Sequence, residues 1–240
     1  MNLKMIFSYK GSNYYGYAKQ PNKITIQGII EENLNKIFQE KITIFASGRT
    51  DKWVHAINQV ANFHINKDIE TNSLTYKLNK LLPNDIYIKN IEVVDEEFNS
   101  RLSAKSKTYL YLINSKYSPF FEDLSLNYEF NNLELVEKGM KLFSGKHNFK
   151  NFTGKKLDAL NFIREIFFFN LEKKDDFYLF KINGNGFMTY MVRKIIATLI
   201  ELDKGNISIE FIKDSLNKEN RDIVTYTASP KGLYLYDVLY

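Results

Sequence analysis

The chain contains no cysteine among its 240 residues. Disulfide bonds, a thiolate nucleophile and cysteine-ligated zinc are therefore excluded. The three histidines, His55, His64 and His147, are too widely spaced to indicate a metal site, so we expect no bound metal. The sequence thus gives no indication of a disulfide scaffold or of a metal-dependent enzyme.

Long apolar runs are also missing. No stretch approaches the roughly 18 apolar residues that a membrane-spanning helix needs, and the N-terminal segment reaches its first lysine, Lys4, too early for a signal peptide. We therefore expect a cytoplasmic protein that has no membrane partner.

The excess of positive over negative charge is also small. Thirty-three Lys and Arg against 28 Asp and Glu give a formal net charge of +5. This balance favours a polyanionic partner only mildly, because many ordinary enzymes carry as much positive charge. Charge alone therefore does not identify a nucleic-acid ligand.

Hydrophobic periodicity predicts one order of elements twice along the chain, with one extra helix, 207–216, in the second half. The predicted strands are 3–9, 42–46, 59–65, 86–94, 108–114, 162–171, 177–182 and 232–239, and the predicted helices are 26–38, 74–82, 133–143, 187–202 and 207–216. Strand, helix, strand, strand, helix, strand is the order of a ferredoxin-like unit. We predict an α+β fold with two ferredoxin-like (βαββαβ) halves, residues 1–103 and 104–240. Their sheets are expected to join edge to edge into one mixed, mainly antiparallel sheet, with the active-site cleft between the halves.

The most informative segment is 46–56, which joins two predicted strands. A glycine-marked turn there places a single carboxylate, Asp51, between Arg49 and His55. Loops on rigid strands often carry catalytic groups, although aspartate beside glycine is also an ordinary turn residue that caps backbone N–H groups. Spacing alone leaves both interpretations open.

Several segments, taken in order, carry a resemblance to a known family. They are Tyr9-Lys10-Gly11-Ser12-Asn13-Tyr14-Tyr15-Gly16-Tyr17, Thr25-Ile26-Gln27-Gly28, Gly48-Arg49-Thr50-Asp51 with Val54-His55, Phe98 to Ala104 with Lys107 to Tyr111, Gly186-Phe187-Met188 with Met191-Val192-Arg193, and Gly232-Leu233-Tyr234-Leu235. Together they resemble the motifs of the TruA family of tRNA pseudouridine synthases nearly end to end. The resemblance implies isomerisation of uridine to pseudouridine at positions 38, 39 and 40 in the anticodon stem-loop of tRNA. It also implies a homodimer that uses no cofactor.

The resemblance also implies roles for individual residues. Asp51 is expected to be the catalytic carboxylate, and Arg193 is expected to pair with it and keep it charged. Tyr109 is expected to lie against the target base. Arg49 is expected to help displace the target nucleotide from the RNA stack.

The reaction explains why a carboxylate is needed. Uridine must lose its bond from ribose to N1, turn within the site, and rejoin the ribose through C5, without any oxidation. An aspartate can act as a nucleophile at C6 of the base or C1′ of the sugar, or as a base that removes the C2′ proton. The sequence leaves these routes open.

Some positions depart from the family pattern. Lys52 and Trp53 follow the aspartate where Ala-Gly is usual, and a tryptophan adopts positive φ less readily than glycine. Lys10 stands where aspartate is common, and Lys19 also adds positive charge. We predict that Lys10, Lys19, Lys52 and His55 contact RNA.

Two other functions remain alternatives. The first is a non-catalytic RNA-binding protein on the same fold, in which aromatic residues of the sheet stack bases; the chain lacks an RNP-type Gly-Phe-Gly-Phe string. The second is a small-molecule acid/base enzyme that uses Asp51 and His55, for which no phosphate-binding glycine loop is present.

Overall fold

A computed structural model describes residues 1–154, 161–217 and 224–240. These residues contain ten β-strands and five α-helices, and the strands pair mainly in the antiparallel sense. The predicted α+β class is therefore confirmed. The chain divides into two compact units, unit 1 with residues 1–105 and 234–240, and unit 2 with residues 106–233.

Unit 1 is a sheet with two helices. Its elements are β1 (Asn2–Tyr9), α1 (Ile26–Phe38), β2 (Phe45–Ala46), β3 (His55–His64), α2 (Thr71–Leu81), β4 (Ile86–Val94) and β10 (Leu233–Leu239). The strand order is β4, β1, β3, β10, and β2 pairs with β3 beside it. Strand β1 runs antiparallel to both β3 and β4, whereas β10 runs parallel to β3. The predicted order of elements is confirmed for this part of the chain.

Helix α1 shows how local sequence sets these elements. Its N-cap residue, Thr25, accepts a hydrogen bond from the Gly28 N–H through Oγ1, at 3.3 Å, as N-cap threonines do. The helix ends where Gln39 adopts the left-handed conformation, at φ 56°. Its apolar residues recur at helical spacing and are buried. They are Ile26, Ile30, Leu34 and Phe38.

Unit 2 contains the remaining strands and three helices. Its elements are β5 (Ser106–Asn114), β6 (Leu126–Asn127), α3 (Leu133–Lys141), β7 (Gly145–Asn148), β8 (Ile163–Lys174), β9 (Phe177–Gly184), α4 (Met191–Asp203) and α5 (Ile209–Asn217). The strand order is β5, β9, β8, β7, and β6 pairs with β5. Strands β8 and β9 form the predicted hairpin. Helices α3, α4 and α5 pack together, with Val136, Leu199 and Ile212 fully buried.

Two of the element boundaries that differ from the predictions have a clear physical reason. The predicted strand 42–46 is reduced to Phe45–Ala46, because the N–H groups of Ile42 and Ile44 donate to side chains of α1 instead of to a neighbouring strand. The predicted helix 187–202 begins only at Met191, because the preceding residue, Tyr190, has a left-handed backbone with φ 65°. Strands β6 and β7 were not predicted, and both are four residues or shorter.

The last strand, β10, lies close to its predicted bounds of 232–239 in the sequence, but it groups with the first unit. Residues 234–240 were assigned to the C-terminal half, but their contacts place them in unit 1. The reason is the parallel pairing of β10 with β3, which sets Tyr234 opposite His55 and Leu235 opposite Ala56.

Candidate active site

The Asp51 loop, residues 47–54, joins β2 to β3. Its first residues are fixed by Gln59 of β3, which is fully buried. The Gln59 side chain donates to the Gly48 carbonyl at 2.9 Å and accepts from the Ser47 hydroxyl at 3.1 Å. The Ser47 N–H donates to the Val60 carbonyl at 2.8 Å. The loop therefore begins from a buried, hydrogen-bonded position.

Thr50, the residue before the carboxylate, is held on two sides. Its hydroxyl shares a buried 2.7 Å hydrogen bond with the Tyr9 hydroxyl, and its carbonyl accepts from the Tyr17 N–H at 3.1 Å. The Val54 N–H then donates to the Asp51 carbonyl at 3.2 Å, which closes a tight turn. Asp51 itself is partly exposed. A partly exposed aspartate on a fixed backbone is suited to act on a bound substrate.

Two glycines allow the chain after β1 to lie against this loop. A Cβ at Gly11 would lie 2.1 Å from the Val54 carbonyl oxygen, closer than any nonbonded contact allows. Gly16 has φ 92°, and a Cβ there would lie 3.0 Å from the Thr50 carbonyl oxygen. These contacts explain why glycine is needed at both positions.

Trp53 has a left-handed backbone conformation, which a tryptophan adopts less readily than a glycine. Its φ is 71°, in the left-handed region that glycine occupies freely. For an L-residue with a Cβ this conformation costs roughly 1–2 kcal/mol. Trp53 therefore holds a left-handed backbone conformation at a position where the family usually has glycine.

His55 lies inside the protein. Only 1% of it is exposed, its Nδ1 accepts the Gly11 N–H at 3.0 Å, and its ring stacks on Tyr234 at 4.6 Å between ring centroids. A backbone N–H can only donate, so Nδ1 carries no proton. In this geometry His55 fixes the end of the loop, in place of the RNA contact predicted for it.

The other predicted RNA contacts in unit 1 are all on the surface. Arg49, Lys10 and Lys52 are exposed. Lys19 is also exposed, but its ammonium forms an ion pair at 3.0 Å with the buried carboxylate of Glu31. Lys19 therefore has a structural partner that sequence reasoning did not reveal.

Unit 2 carries the two remaining predicted residues. Tyr109 lies on β5, partly exposed, and its ring meets the edge of Phe187 at 5.1 Å between centroids. Arg193 lies in the first turn of α4. Its Nε donates to the Ala228 carbonyl at 2.8 Å, and its guanidinium carbon lies 4.8 Å from the centre of the Tyr190 ring. The bond and the cation–π contact fix the orientation of the guanidinium.

Tyrosines near these residues are held in the neutral form. Burial raises the pKa of Tyr9 to about 12, and burial also raises the pKa of Tyr17 well above its usual value. In unit 2, burial raises the pKa of Tyr111, although the positive charge of Arg193 opposes this. These phenols therefore remain hydrogen-bonding groups and add no negative charge beside the loop or the arginine.

Sequence reasoning missed Gln59 and Tyr9 as parts of the site. Both hold residues of the Asp51 loop, Tyr9 through the Thr50 hydroxyl and Gln59 through the Gly48 carbonyl and the Ser47 hydroxyl. The available signal was a glutamine among the mainly apolar residues of a predicted strand, because a buried polar group needs hydrogen-bond partners.

The described residues hold neither a metal-binding cluster nor a membrane-spanning helix. Within residues 1–154, 161–217 and 224–240, no group of three or more His, Asp or Glu side chains is placed to hold a metal ion. Across the same ranges, no helix combines the length and apolar character needed to cross a membrane.

Comparison with known proteins identifies the family. The family model described as tRNA pseudouridine synthase matches residues 5–101 and 140–240, which include Asp51 and Arg193. The chain belongs to the tRNA pseudouridine synthase family. It is thus an isomerase that acts on tRNA, and the non-catalytic alternative is not supported.

Individual relatives agree with this assignment over full length. A tRNA pseudouridine synthase A from Thermodesulfovibrio yellowstonii is 36% identical over 254 residues, covering 100% of both chains. Those from Caldicellulosiruptor saccharolyticus and Dictyoglomus turgidum are each 38% identical over 245 residues, covering 100% of this chain and 99% of theirs. A chain in the crystal structure of a Cbf5-Nop10-Gar1 complex matches 80% of this synthase and 52% of itself with a TM-score of 0.34 and 14% identity, too distant a likeness to add to the assignment.

Proposed function

We propose that this synthase converts uridine to pseudouridine at positions 38, 39 and 40 of the anticodon stem-loop of tRNA, with Asp51 as its catalytic carboxylate. The observation that carries the proposal is the geometry of the Asp51 loop. Hydrogen bonds from Tyr17 and Gln59 fix the backbone on the N-terminal side of Asp51, the Tyr9 hydroxyl is hydrogen-bonded to the Thr50 hydroxyl, and Asp51 is partly exposed.

The proposed reaction is balanced without a redox partner. The bond from C1′ to N1 breaks and a bond from C1′ to C5 forms. The proton on C5 is lost and N1 gains one, so the product is an isomer of the substrate. An ionised Asp51 serves as nucleophile or as base in every version of this sequence.

Arg193 is proposed to act in the same step by keeping Asp51 ionised. The support is its match to the family motif, together with the orientation that Ala228 and Tyr190 give to its guanidinium. A positive charge close to a carboxylate lowers the pKa of that carboxylate. Tyr109 is proposed to lie against the target base, and Arg49 to help displace the nucleotide from its stack.

The remaining parts of the proposal concern context. We propose that the synthase works as a homodimer in the cytoplasm and that Lys10, Lys19 and Lys52 add to the attraction for tRNA phosphates. His55 is proposed to position the end of the Asp51 loop, because its ring is buried and accepts a hydrogen bond from the Gly11 N–H.

The proposal is tested with three tRNA transcripts, each of which keeps a single uridine among positions 38, 39 and 40. The wild-type protein should form pseudouridine in all three, measured by chemical mapping. Asp51→Asn keeps the shape of the side chain but removes its charge, so it should abolish product and leave tRNA binding nearly unchanged.

A matched control separates this effect from general disturbance. Asp68→Asn makes the same change at an exposed aspartate of unit 1 and should retain full activity.

Arg193→Ala should also greatly slow turnover, and the Asp51→Asn/Arg193→Ala double variant should be little worse than Asp51→Asn, because the effects of residues that act as one unit are not additive. Measurable pseudouridine from purified Asp51→Asn protein would defeat the assignment of the carboxylate.

A further inference from the structure

Two lysines and a tyrosine form a compact group beside the Asp51 loop. The Nζ of Lys23 and the Nζ of Lys52 each lie 4.4 Å from the centre of the Tyr15 ring. The tyrosine is 42% exposed and both lysines are exposed. We call Tyr15, Lys23 and Lys52 the lysine–tyrosine cluster.

The cluster concentrates positive charge that the protein does not neutralise. Each ammonium is attracted by the ring's electrons, an attraction that leaves its charge in place. Since both lie 4.4 Å from one point, the two charges can be no further apart than twice that distance. Among the described residues, no carboxylate lies within ion-pair distance of Lys23 or Lys52, whereas Lys19 is paired with Glu31. An external anion would therefore lower the mutual repulsion of the two lysines.

The backbone that carries the cluster is fixed. The Tyr15 N–H donates to the Ile24 carbonyl at 2.9 Å, and the Gln20 side chain donates to the Tyr15 carbonyl at 2.7 Å. Next along the chain, Gly16 lies against the backbone of Thr50 and Asp51. The two lysines therefore come from separate segments that hydrogen bonds hold beside one another, so the site does not depend on one flexible side chain.

The position of the cluster determines which anion it meets. Lys52 directly follows Asp51 in the sequence, so its ammonium lies within one side-chain length of the loop that carries the proposed catalytic carboxylate. A nucleotide that brings its ribose to Asp51 brings its own flanking phosphates into the same region. Two closely spaced ammonium groups match the charge of consecutive phosphates in one strand.

We propose that the lysine–tyrosine cluster binds the RNA phosphates that flank the target uridine and holds the strand while that nucleotide is displaced from its stack. This proposal rests on the proposed function and adds a specific phosphate site to it. Tyr15 acts as a positioning residue, because its ring sets where the two ammonium groups lie.

Binding measurements across a range of salt concentrations test the number of phosphates held. For the Lys23→Gln/Lys52→Gln double variant, the slope of log affinity for tRNA against log salt should become shallower by about 0.7–1.8, which is one to two phosphates at about 0.7–0.9 each. Tyr15→Leu keeps both charges, so its slope should match the wild type while its affinity falls about two- to fivefold.

Lys80 provides the matched control. Its Nζ lies 5.3 Å from the ring of Tyr76, an exposed pair on the surface of α2. Lys80→Gln removes the same charge from the same kind of lysine–tyrosine contact and should leave both the slope and turnover unchanged. A change in slope for Lys80→Gln as large, per charge removed, as that of the double variant would overturn the proposal, because only net charge would then matter.

A neutral linkage locates the phosphates. The test uses tRNA assembled with single methylphosphonate linkages on either side of the target uridine. Wild-type protein should bind this tRNA more weakly than unmodified tRNA. The Lys23→Gln/Lys52→Gln variant should bind both tRNAs with the same affinity. Additive losses would place the contacted phosphates elsewhere and refute the proposal. Failure of the proposed function is distinguishable, because wild-type protein would then bind tRNA with normal salt dependence and form no pseudouridine.

Discussion

Trp53 allows the strain in the Asp51 loop to be measured directly. Its φ of 71° is left-handed, and its side chain is half-buried. Trp53→Ala and Trp53→Gly both remove the indole and whatever packing it provides. The two variants differ only in whether a Cβ remains on a left-handed residue, so their comparison isolates the backbone term.

The expected difference follows from two opposing effects. Alanine in the left-handed region is disfavoured by roughly 1–2 kcal/mol, a cost that glycine avoids. Glycine in turn loses more conformational freedom on folding, which costs about 0.5–1 kcal/mol relative to alanine. Trp53→Gly should therefore be more stable than Trp53→Ala by up to about 1.5 kcal/mol. One kcal/mol corresponds to about 2–4 °C in Tm for a chain of this size.

Urea and thermal unfolding, followed by circular dichroism, measure this difference in stability. Tryptophan fluorescence cannot be used, because both substitutions remove the single tryptophan of the chain. Pseudouridine formation by Trp53→Gly should stay within about tenfold of wild type, or about 1.4 kcal/mol of barrier. Asp175, with φ 52° in the β8–β9 turn, is the control. Asp175→Gly should likewise be more stable than Asp175→Ala, and both variants should leave activity unchanged.

Two results would refute this reasoning. If Trp53→Ala were more stable than Trp53→Gly, the backbone of residue 53 would not be left-handed in solution. Loss of activity in Trp53→Gly with folding intact would mean that the indole contacts the RNA.

Three further predictions concern the supporting structure. Gly11→Ala places a Cβ 2.1 Å from the Val54 carbonyl oxygen, so urea unfolding should show a loss of about 1–3 kcal/mol. Burial raises the pKa of Tyr9 to about 12, so the folded state keeps a proton that the unfolded chain loses near pH 10. The free energy of unfolding should therefore fall as pH rises from about 10 to 12, and Tyr9→Phe should flatten that fall in urea titrations at fixed pH. Asp203 accepts hydrogen bonds from the Tyr128 hydroxyl and from the Asn131 and Asn132 N–H groups; Asp203→Ala should destabilise by at least about 2 kcal/mol, and unchanged urea midpoints would contradict this.

The sequence was sufficient for the parts of the molecule that local patterns specify. The apolar spacing of residues 26–38 predicts α1 because one helical face must be buried. Strand 86–94 was predicted with the bounds that the structure shows. The Asp51 loop was found from the order of its residue types, and the family follows from motifs that extend along the chain.

Tertiary structure alone decided the features that depend on residues far apart in sequence. His55 is buried because Gly11 and Tyr234, 44 and 179 positions away, close around its ring. The parallel pairing of β10 with β3 brings residues 234–240 into the first unit, which no local periodicity encodes. Periodicity records which face of an element is buried, whereas the partner that buries it is chosen by packing and hydrogen bonding across the whole fold. For the same reason, only the folded chain brings Lys23 and Lys52 to a single tyrosine ring.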